Sequence, residues 1–306
     1  MALQTPSSTN KRGAYLALAA AFLGWLFDGF EIGLFPVVAR PALLDMLGSG
    51  HEGDVGIWMG RITAAFLLGA ALGGAAFGWL GDKIGRVRAM SFSILCYSLF
   101  SGAGYFAQEP WHLGAFRFLA ALGMGGEWAL GVALVMEVWP EKHRPWLAGA
   151  IGAAANLGMV IVGVIALYVE VKEDSWRGMF LVGASPAILR FLIRLFVPES
   201  EKWQHAKQEA AHVDGSPLQR VVKGKLLKHT LIGVVLSSVA LIGTWASVQW
   251  IPLWVDSMGT GDATHKATAH MVSSIGAVVG SLFAPMLVGR FSRRWGYFTL
   301  CALSLV

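Results

Sequence analysis

The chain has 306 residues, of which 55% are hydrophobic and 14% are charged, whereas a soluble globular protein is about 45–50% apolar and about 25% charged. This composition excludes an ordinary soluble domain, and the 17 Phe and 13 Trp exclude a disordered chain. The formal net charge is +5, but the basic residues lie in short gaps between apolar blocks, so we expect no nucleic-acid partner. Both cysteines lie inside apolar blocks and predict neither a disulfide framework nor a zinc site.

The apolar blocks are long enough to cross a lipid bilayer as helices. A bilayer core of about 30 Å takes about 20 helical residues, and a helix satisfies its own backbone hydrogen bonds there. In chain order the predicted spans are 15–39, 57–81, 89–107, 111–139, 145–169, 178–197, 229–255 and 268–288, and a ninth begins near residue 297. We therefore predict an all-α membrane protein with eight complete spans and the start of a ninth.

The positions of the basic residues predict the orientation of these spans. Most of the 24 Lys and Arg fall in the gaps that are cytoplasmic if the N-terminus is cytoplasmic. Cytoplasmic loops of membrane proteins carry an excess of Lys and Arg. We therefore expect a multi-pass protein of the plasma (inner) membrane, in contact with lipid, with its N-terminus in the cytoplasm.

A polar stretch and an internal repeat divide the chain in two. The longest polar stretch, about 198–228, predicts a cytoplasmic central loop between an N-terminal six-helix half (1–197) and an incomplete C-terminal half (229–306). Four residues recur 211 residues later with one change of charge sign: Gly78, Asp82, Lys83 and Gly85 correspond to Gly289, Arg293, Arg294 and Gly296. Two parallel repeats are typical of one large class of transporters, so we predict that the later residues form a second gating loop.

The cytoplasmic end of the second span carries glycines among charged residues: Gly78, Gly81, Asp82, Lys83, Gly85 and Arg86. Glycines allow helices to approach closely, and an acid among bases offers ion pairs that break and re-form as two halves rock. The alternative is a stop signal that only sets the orientation. The run is similar to the Gly-x-x-x-Asp-Lys/Arg-x-Gly-Arg loop of the major facilitator superfamily. This resemblance implies a twelve-span transporter of which the chain holds a part, with Asp82 and Arg86 as a conformational latch.

The fourth predicted span contains Arg117, followed by Gly123, Gly125, Gly126 and Glu127. A cation at the bilayer centre costs about 3 kcal/mol on insertion scales, so a functional reason is expected. The alternatives are that Arg117 extends to the outer interface and that Glu127 makes a structural hydrogen bond to a neighbouring helix. The run resembles the superfamily's fourth-span motif, whose arginine is associated with proton coupling. We expect Arg117 and Glu127 to act in coupling or in substrate orientation.

Asp28 and Glu31 lie midway along the first span, three residues apart and therefore on one helical face. Two buried carboxyl groups at this spacing suit the uptake of a proton on one side and its release on the other. The alternatives are that Glu31 faces water and that Asp28 only pairs with a basic residue. The string around them resembles the first-span Asp-Gly-Phe-Asp motif of aromatic-acid:proton symporters, with Glu at position 31.

Three short runs resemble a neighbouring group of transporters. Residues 125–128, 137–144 and 197–203 are similar to segments of sialate- and carboxylate-type metabolite:proton symporters, and sugar porters share the Pro-Glu-Ser element at 198–200. In the seventh span, Trp245, Gln249 and Trp250 are candidates to line a central cavity, although packing against lipid is an equal alternative. The eight His form no metal spacing, and no catalytic set can be assembled, so we expect neither a cofactor nor an enzyme.

These observations predict a proton-coupled symporter of a small organic solute that works by alternating access. A carboxylate is favoured, because of Arg117 and the short-run resemblances, and a sugar or polyol is the second choice. A non-transporting nutrient sensor on the same scaffold is the alternative from another class. The expected partners are a small solute, protons and lipid, and we expect a monomer.

Overall fold

The computed structural model describes residues 11–169, 171–185, 187–199, 203–204, 224–258, 263–290 and 293–303. Within these ranges the chain is helical and forms no strand. The helices are α1 (Lys11–Leu47), α2 (Val55–Ile84), α3 (Arg86–Ala103), α4 (Pro110–Val138), α5 (Arg144–Tyr168), α6 (Trp176–Gly183), α7 (Ala187–Phe196), α8 (Gly224–Ser247), α9 (Ile251–Ser257), α10 (Ala263–Arg290) and α11 (Arg293–Leu303).

Seven helical segments of the described chain are long and apolar enough to cross a membrane: Gly13–Leu47, Glu52–Ile84, Arg86–Phe106, Pro110–Val138, Glu141–Tyr168, Leu226–Val255 and Thr264–Leu287. They correspond to the predicted spans one to five, seven and eight. The sixth predicted span is divided between α6 and α7, on either side of Pro186 in the sequence, and each part is shorter than a span. Proline has no backbone N–H and opposes a continuous helix. The predicted count of eight complete spans is therefore not confirmed.

Glycine and proline set several of the helix boundaries. Gly85 separates α2 from α3 and has φ +114, a conformation that side-chain-bearing residues rarely adopt. Pro110 and Pro145 stand in the first turns of α4 and α5, where a missing N–H costs nothing. The seventh span changes from α8 to α9 through the 3-10 turn Val248–Trp250, directly before Pro252.

The first five helices pack closely because small residues let their backbones approach. A Cβ on Gly73 would strike the Leu122 carbonyl of α4, and one on Gly158 would strike the Leu26 carbonyl of α1. Helix α4 therefore packs along α2, and α5 packs along α1. By contrast, a Cβ on Gly78 would meet nothing within 4 Å, so the expected close approach of another helix does not occur at that glycine.

Helix α5 also packs against α10, on the other side of the predicted central loop. A Cβ on Gly149 would lie 2.7 Å from the Ser281 carbonyl, and one on Gly163 would lie 2.9 Å from Met271 Cβ. The Asn156 side chain donates a hydrogen bond to the Ser281 hydroxyl at 3.4 Å. The glycine-rich fifth span thus contacts helices from both ends of the chain.

Most of the predicted central loop (198–228) and the centre of the second gating loop lie outside the described residues. At the second loop, Gly289 and Arg294 are exposed and Gly296 is buried, while the side chain of Arg293 is not described. The structure therefore does not show whether this loop repeats the contacts of the first.

Candidate functional site

Helices α1 and α4 bring the four predicted coupling residues together in the interior of the bundle. Asp28, Glu31 and Glu127 are fully buried and Arg117 is 4% exposed. Arg117 donates a hydrogen bond to Glu31 and forms with it a buried ion pair. The Ser101 hydroxyl of α3 donates to the same carboxylate oxygen at 3.2 Å. Glu31 therefore faces the protein interior, not bulk water.

Arg117 is held between two aromatic rings. Its guanidinium carbon lies 4.7 Å from the ring centroid of Phe35 and 4.7 Å from that of Phe66. A cation over the face of an aromatic ring is attracted by the ring's negative charge density. The guanidinium is thus enclosed by α1 and α2 and does not extend to the end of α4, and its Nε has no hydrogen-bond partner among the described residues.

Glu127 of α4 lies against α1 at Gly24, one helical turn before Asp28. No oxygen of either carboxyl group makes a hydrogen bond of good geometry within the described part of the chain. Gly24 provides the room for this contact, since a Cβ there would overlap Glu127 Oε1. Three carboxyl groups and one guanidinium therefore share a water-poor interior, where unpaired charges are costly.

A cleft lies beside this cluster, between α1, α2, α4 and α8. Its lining residues are Ile32, Phe35, Met59, Thr63, Phe66, Arg117, Trp245 and Gln249. The Trp245 ring packs at a tilt against the Phe66 ring, with the ring centroids 5.6 Å apart, and this contact joins α8 to α2 across the cleft. Trp245 and Gln249, two of the three residues predicted to line a cavity, thus line this cleft. Trp250 does not line it, but packs toward Gly60 with the apolar side chains of α1 and α2.

The predicted gating loop forms a network at the junction of α2 and α3. Arg86 pairs with Asp82 at 2.7 Å and with Glu137 of α4 at 3.1 Å. Glu199, after α7, accepts hydrogen bonds from the Val87 N–H at 3.1 and 3.2 Å and thereby caps α3. Lys83 lies over the Trp79 ring at 5.0 Å. Gly81 packs against Leu130, so α2 and α4 are close at this end.

Sequence reasoning missed several residues that the fold brings to these sites. Tyr97 of α3 is fully buried beside the three carboxyl groups. The signal was a series of buried hydroxyl residues in a membrane span, Ser91, Ser93, Tyr97, Ser98 and Ser101. At the opposite end of the bundle, Asp45 accepts hydrogen bonds from Trp176 at 3.1 Å and Arg177 at 2.7 Å. No sequence spacing pointed to that contact.

The described residues contain no group of three or more His, Cys, Asp or Glu side chains arranged to hold a metal ion. The three carboxyl groups of the interior cluster are held by two helices and are accompanied by a guanidinium. Their arrangement can bind protons or pair with cationic side chains.

Comparison with known proteins places the chain among membrane transporters. A sequence profile of the Major Facilitator Superfamily matches residues 15–306. A protein of Haemophilus influenzae assigned to metabolite transport is 30% identical, over 94% of this chain and 70% of its own length. The cis,cis-muconate transport protein of Acinetobacter baylyi is 27% identical, over 92% and 68%. This chain aligns with a smaller share of other relatives, such as 62% of the length of the gentisate transporter of Corynebacterium glutamicum.

The fold agrees with this assignment. The solved structure of a proton:xylose symporter bound to 6-bromo-6-deoxy-D-glucose superposes with a TM-score of 0.70 at 19% identity. The superposition covers 94% of this chain and 71% of that one. The chain belongs to the Major Facilitator Superfamily, whose members are transporters and not enzymes.

Proposed function

We propose that the protein is a proton-coupled symporter of a small organic carboxylate that works by alternating access in the plasma (inner) membrane. The N-terminus is placed in the cytoplasm, and residues 1–197 and 229–306 belong to two halves joined by the loop at 198–228. The solute binds in the cleft between α1, α2, α4 and α8. The proton binds in the adjoining carboxyl cluster.

The observation that carries this proposal is the position of Arg117, on the wall of the cleft with Glu31 behind it. Among the described lining residues, Arg117 is the only charged one. A guanidinium suits a carboxylate because its planar donors match the two oxygens. Phe66 and Trp245 offer apolar ring faces to the body of the solute, and Thr63 and Gln249 offer polar groups to its substituents.

Coupling follows from the competition for Arg117. When Glu31 takes up a proton it loses its charge, and its attraction for the guanidinium falls. Arg117 is then available to the carboxylate of the solute, so that the proton and the anion bind together. A negatively charged solute would be repelled while all three buried acids are ionised, which makes binding without the proton unfavourable.

The network of Arg86, Asp82 and Glu137 serves as the cytoplasmic gate in this scheme. Its ion pairs are partly exposed and each holds two helices together, so they can break at low cost when the halves rock. One proton carried together with one monocarboxylate moves no net charge, so the pH gradient drives uptake. One pH unit corresponds to about 1.4 kcal/mol and therefore to about tenfold accumulation for one proton per solute.

The relatives support the choice of solute class. Cis,cis-muconate, which the Acinetobacter relative transports by name, is a dicarboxylate. Gentisate, transported by the Corynebacterium relative, is an aromatic carboxylate. An apolar cleft with one guanidinium fits both chemistries, whereas a sugar calls for a larger number of hydrogen-bonding side chains.

The test is uptake by the full-length protein in liposomes under an imposed pH gradient. A panel of labelled carboxylates, beginning with cis,cis-muconate and gentisate, is compared with labelled xylose. We expect accumulation of a carboxylate that collapses when a protonophore removes the gradient. Accumulation of xylose alone would instead support a sugar symporter, and equilibration without accumulation would contradict proton coupling. Binding of the solute without any uptake would indicate a sensor.

Asp28→Asn is the matching variant, with Asp54→Asn as its control. Asp28 is buried in the cluster, whereas Asp54 is about half exposed and pairs only with His51 at 3.0 Å. We expect Asp28→Asn to abolish accumulation and Asp54→Asn to leave it unchanged. Full proton-driven accumulation by Asp28→Asn would remove Asp28 from the coupling role.

A further inference from the structure

Five buried polar side chains between α1, α3 and α4 have oxygens without a hydrogen-bond partner among the described residues. The atoms are both oxygens of Asp28, both oxygens of Glu127, Oε2 of Glu31 and the hydroxyls of Tyr97 and Ser98. Buried polar groups in folded proteins nearly always have partners, and the exceptions call for an explanation. Here the unpartnered atoms come from three helices and lie in one cluster, which indicates a shared purpose.

Tyr97 is the phenol of this cluster. It is fully buried, and the carboxyl groups of Glu127, Asp28 and Glu31 are near enough to interact with it electrostatically. Its other polar neighbour is the Ser98 hydroxyl of the same helix. A phenol is both a donor and an acceptor of hydrogen bonds, so it can exchange a proton with a carboxyl group on either side.

The fourth-span glycine motif places Tyr97 there. A Cβ on Gly123 would lie 2.5 Å from the Ser93 carbonyl and 2.5 Å from the Tyr97 backbone N. The Ser93 hydroxyl also donates a hydrogen bond to the Gly123 carbonyl. Because Gly123 lacks a side chain, α3 lies directly on α4 at this level. Tyr97 stands one helical turn before Ser101, which donates to Glu31, and Gly123 stands one turn before Glu127.

A packing role alone does not account for the hydroxyl. The Tyr97 ring belongs to an apolar cluster with Phe66, Met90, Ile94 and Met124. Phenylalanine would fill the same volume without burying a polar atom that lacks a partner. The oxygen is therefore an unfavourable feature of the packing that needs a compensating use.

We propose that the Tyr97 hydroxyl relays the coupling proton between the acid pair of α1, Asp28 and Glu31, and Glu127 of α4. This inference rests on the proposed proton symport. In each step a protonated carboxyl group gives its proton to the phenol oxygen while the phenol's own proton passes to the ionised carboxylate. One O–H bond forms for each that breaks, so the phenol is left neutral and the charge moves from one acid to the other.

The relay gives the cluster a direction. Glu31 pairs with Arg117 at the cleft, whereas Glu127 contacts α1 at Gly24, two helical turns nearer the end that carries the gating network. Within the described part of the chain, the polar groups that accompany the cluster include Arg117 and Trp128 of α4 and Ser98 and Ser101 of α3. The proton thus passes inside the α1–α4 bundle, while the solute passes through the cleft beside it.

Tyr97→Phe tests the relay, with Ser91→Ala as the matched control. Ser91 is another buried hydroxyl of α3, but it donates to the Val87 carbonyl at 2.9 Å and stands outside the cluster. In liposomes, we expect Tyr97→Phe to slow proton-driven uptake of cis,cis-muconate at least about tenfold while exchange of labelled for unlabelled solute is retained. We expect Ser91→Ala to retain both the proton-driven uptake and the solute exchange. A variant that lost exchange and uptake together would contradict the relay, since it would show a structural role.

Fluorotyrosine at position 97 is the second measurement, because it keeps the hydroxyl and the fold and makes the phenol more acidic. We expect the pH dependence of uptake to shift while the level of solute exchange stays constant. An unchanged pH dependence, together with wild-type uptake by Tyr97→Phe, would overturn the relay. If wild type accumulates the solute and Asp28→Asn does not, the proposed function stands even then. If wild type shows no proton-driven accumulation, the proposed function itself has failed.

Discussion

Glu31 on α1 and Arg117 on α4 form the most deeply buried ion pair among the described residues, with exposures of 0% and 4%. Their two charges differ in how they can be neutralised. A lone carboxylate can take up a proton, whereas a guanidinium cannot release one under ordinary conditions.

We therefore expect Glu31→Ala to destabilise the protein more than Arg117→Ala. Glu31→Ala leaves an unpaired cation between two aromatic rings, and removal of one partner of a buried pair costs about 3–5 kcal/mol. Arg117→Ala leaves a carboxyl group, which a proton can neutralise, so its loss of stability should be smaller. Unfolding of each variant in detergent measures both losses.

The double variant of this pair is the internal control. If the two side chains interact, the loss of stability in the double variant is smaller than the sum of the losses in the two single variants. Strictly additive losses would contradict the pairing.

Gly123→Ala is expected to destabilise the contact between α3 and α4. The added Cβ meets backbone atoms of α3, which cannot move aside as the end of a side chain can. Overpacking of this kind typically costs about 1–3 kcal/mol. Gly78→Ala is the matched control, because its Cβ meets nothing within 4 Å. We expect that variant to be neutral or slightly more stable, since alanine favours helix more than glycine does. Equal thermal stability of the two variants in detergent would contradict the packing of Gly123.

Gly85→Ala should loosen the start of α3. The residue has φ +114, where a side chain costs of order 1–3 kcal/mol, and its Cβ would collide with the Glu199 carboxylate. Glu199 would then leave the Val87 N–H that it caps. We expect faster amide exchange in a peptide that covers residues 86–90, measured by mass spectrometry.

Gly53→Ala serves as the control for that variant. Gly53 lies in an exposed 3-10 turn, and a Cβ there would meet nothing within 4 Å. Exchange at residues 86–90 should be unaffected by it. Wild-type exchange rates in Gly85→Ala would mean that neither the backbone conformation nor the Glu199 cap matters for α3.

Arg177→Ala is expected to weaken the opposite end of the bundle. Arg177 joins three segments: it donates to Asp45 near the end of α1 at 2.7 Å, donates to the Ala107 carbonyl at 3.2 Å and stacks on Trp176. Hydrogen bonds to charged groups contribute about 1.5–3 kcal/mol, and partial exposure of this pair lowers the expected loss to about 1–2 kcal/mol.

Arg61→Ala provides the comparison, because Arg61 is exposed and stacks only on the neighbouring Trp58 at 5.0 Å. The loss of stability caused by Arg61→Ala should stay below about 1 kcal/mol. The two variants are compared by the unfolding midpoint in detergent. A larger effect of Arg61→Ala would show that the contact between Arg177 and Asp45 is not important for stability.

The polar residues illustrate how far sequence reasoning reached at the site. The cost of a charge in lipid singled out Asp28, Glu31, Arg117 and Glu127, and the structure brings all four together. The same reasoning overlooked Tyr97, because a tyrosine in an apolar span carries no charge to explain. It also gave Trp250 the same standing as Trp245, since periodicity does not tell which side of a broken helix meets the cleft.

The sequence by itself determined seven of the eight complete spans that it predicts, and it singled out the charged residues whose position inside a span needs a functional reason. In a bilayer every backbone group must find a partner within its own helix, so apolar runs of the right length become helices. Only the tertiary structure decided which helices meet and which side chains share a charge. Those contacts depend on how closely glycines such as Gly73 and Gly123 let backbones approach, and that is a property of two helices together and not of either one alone.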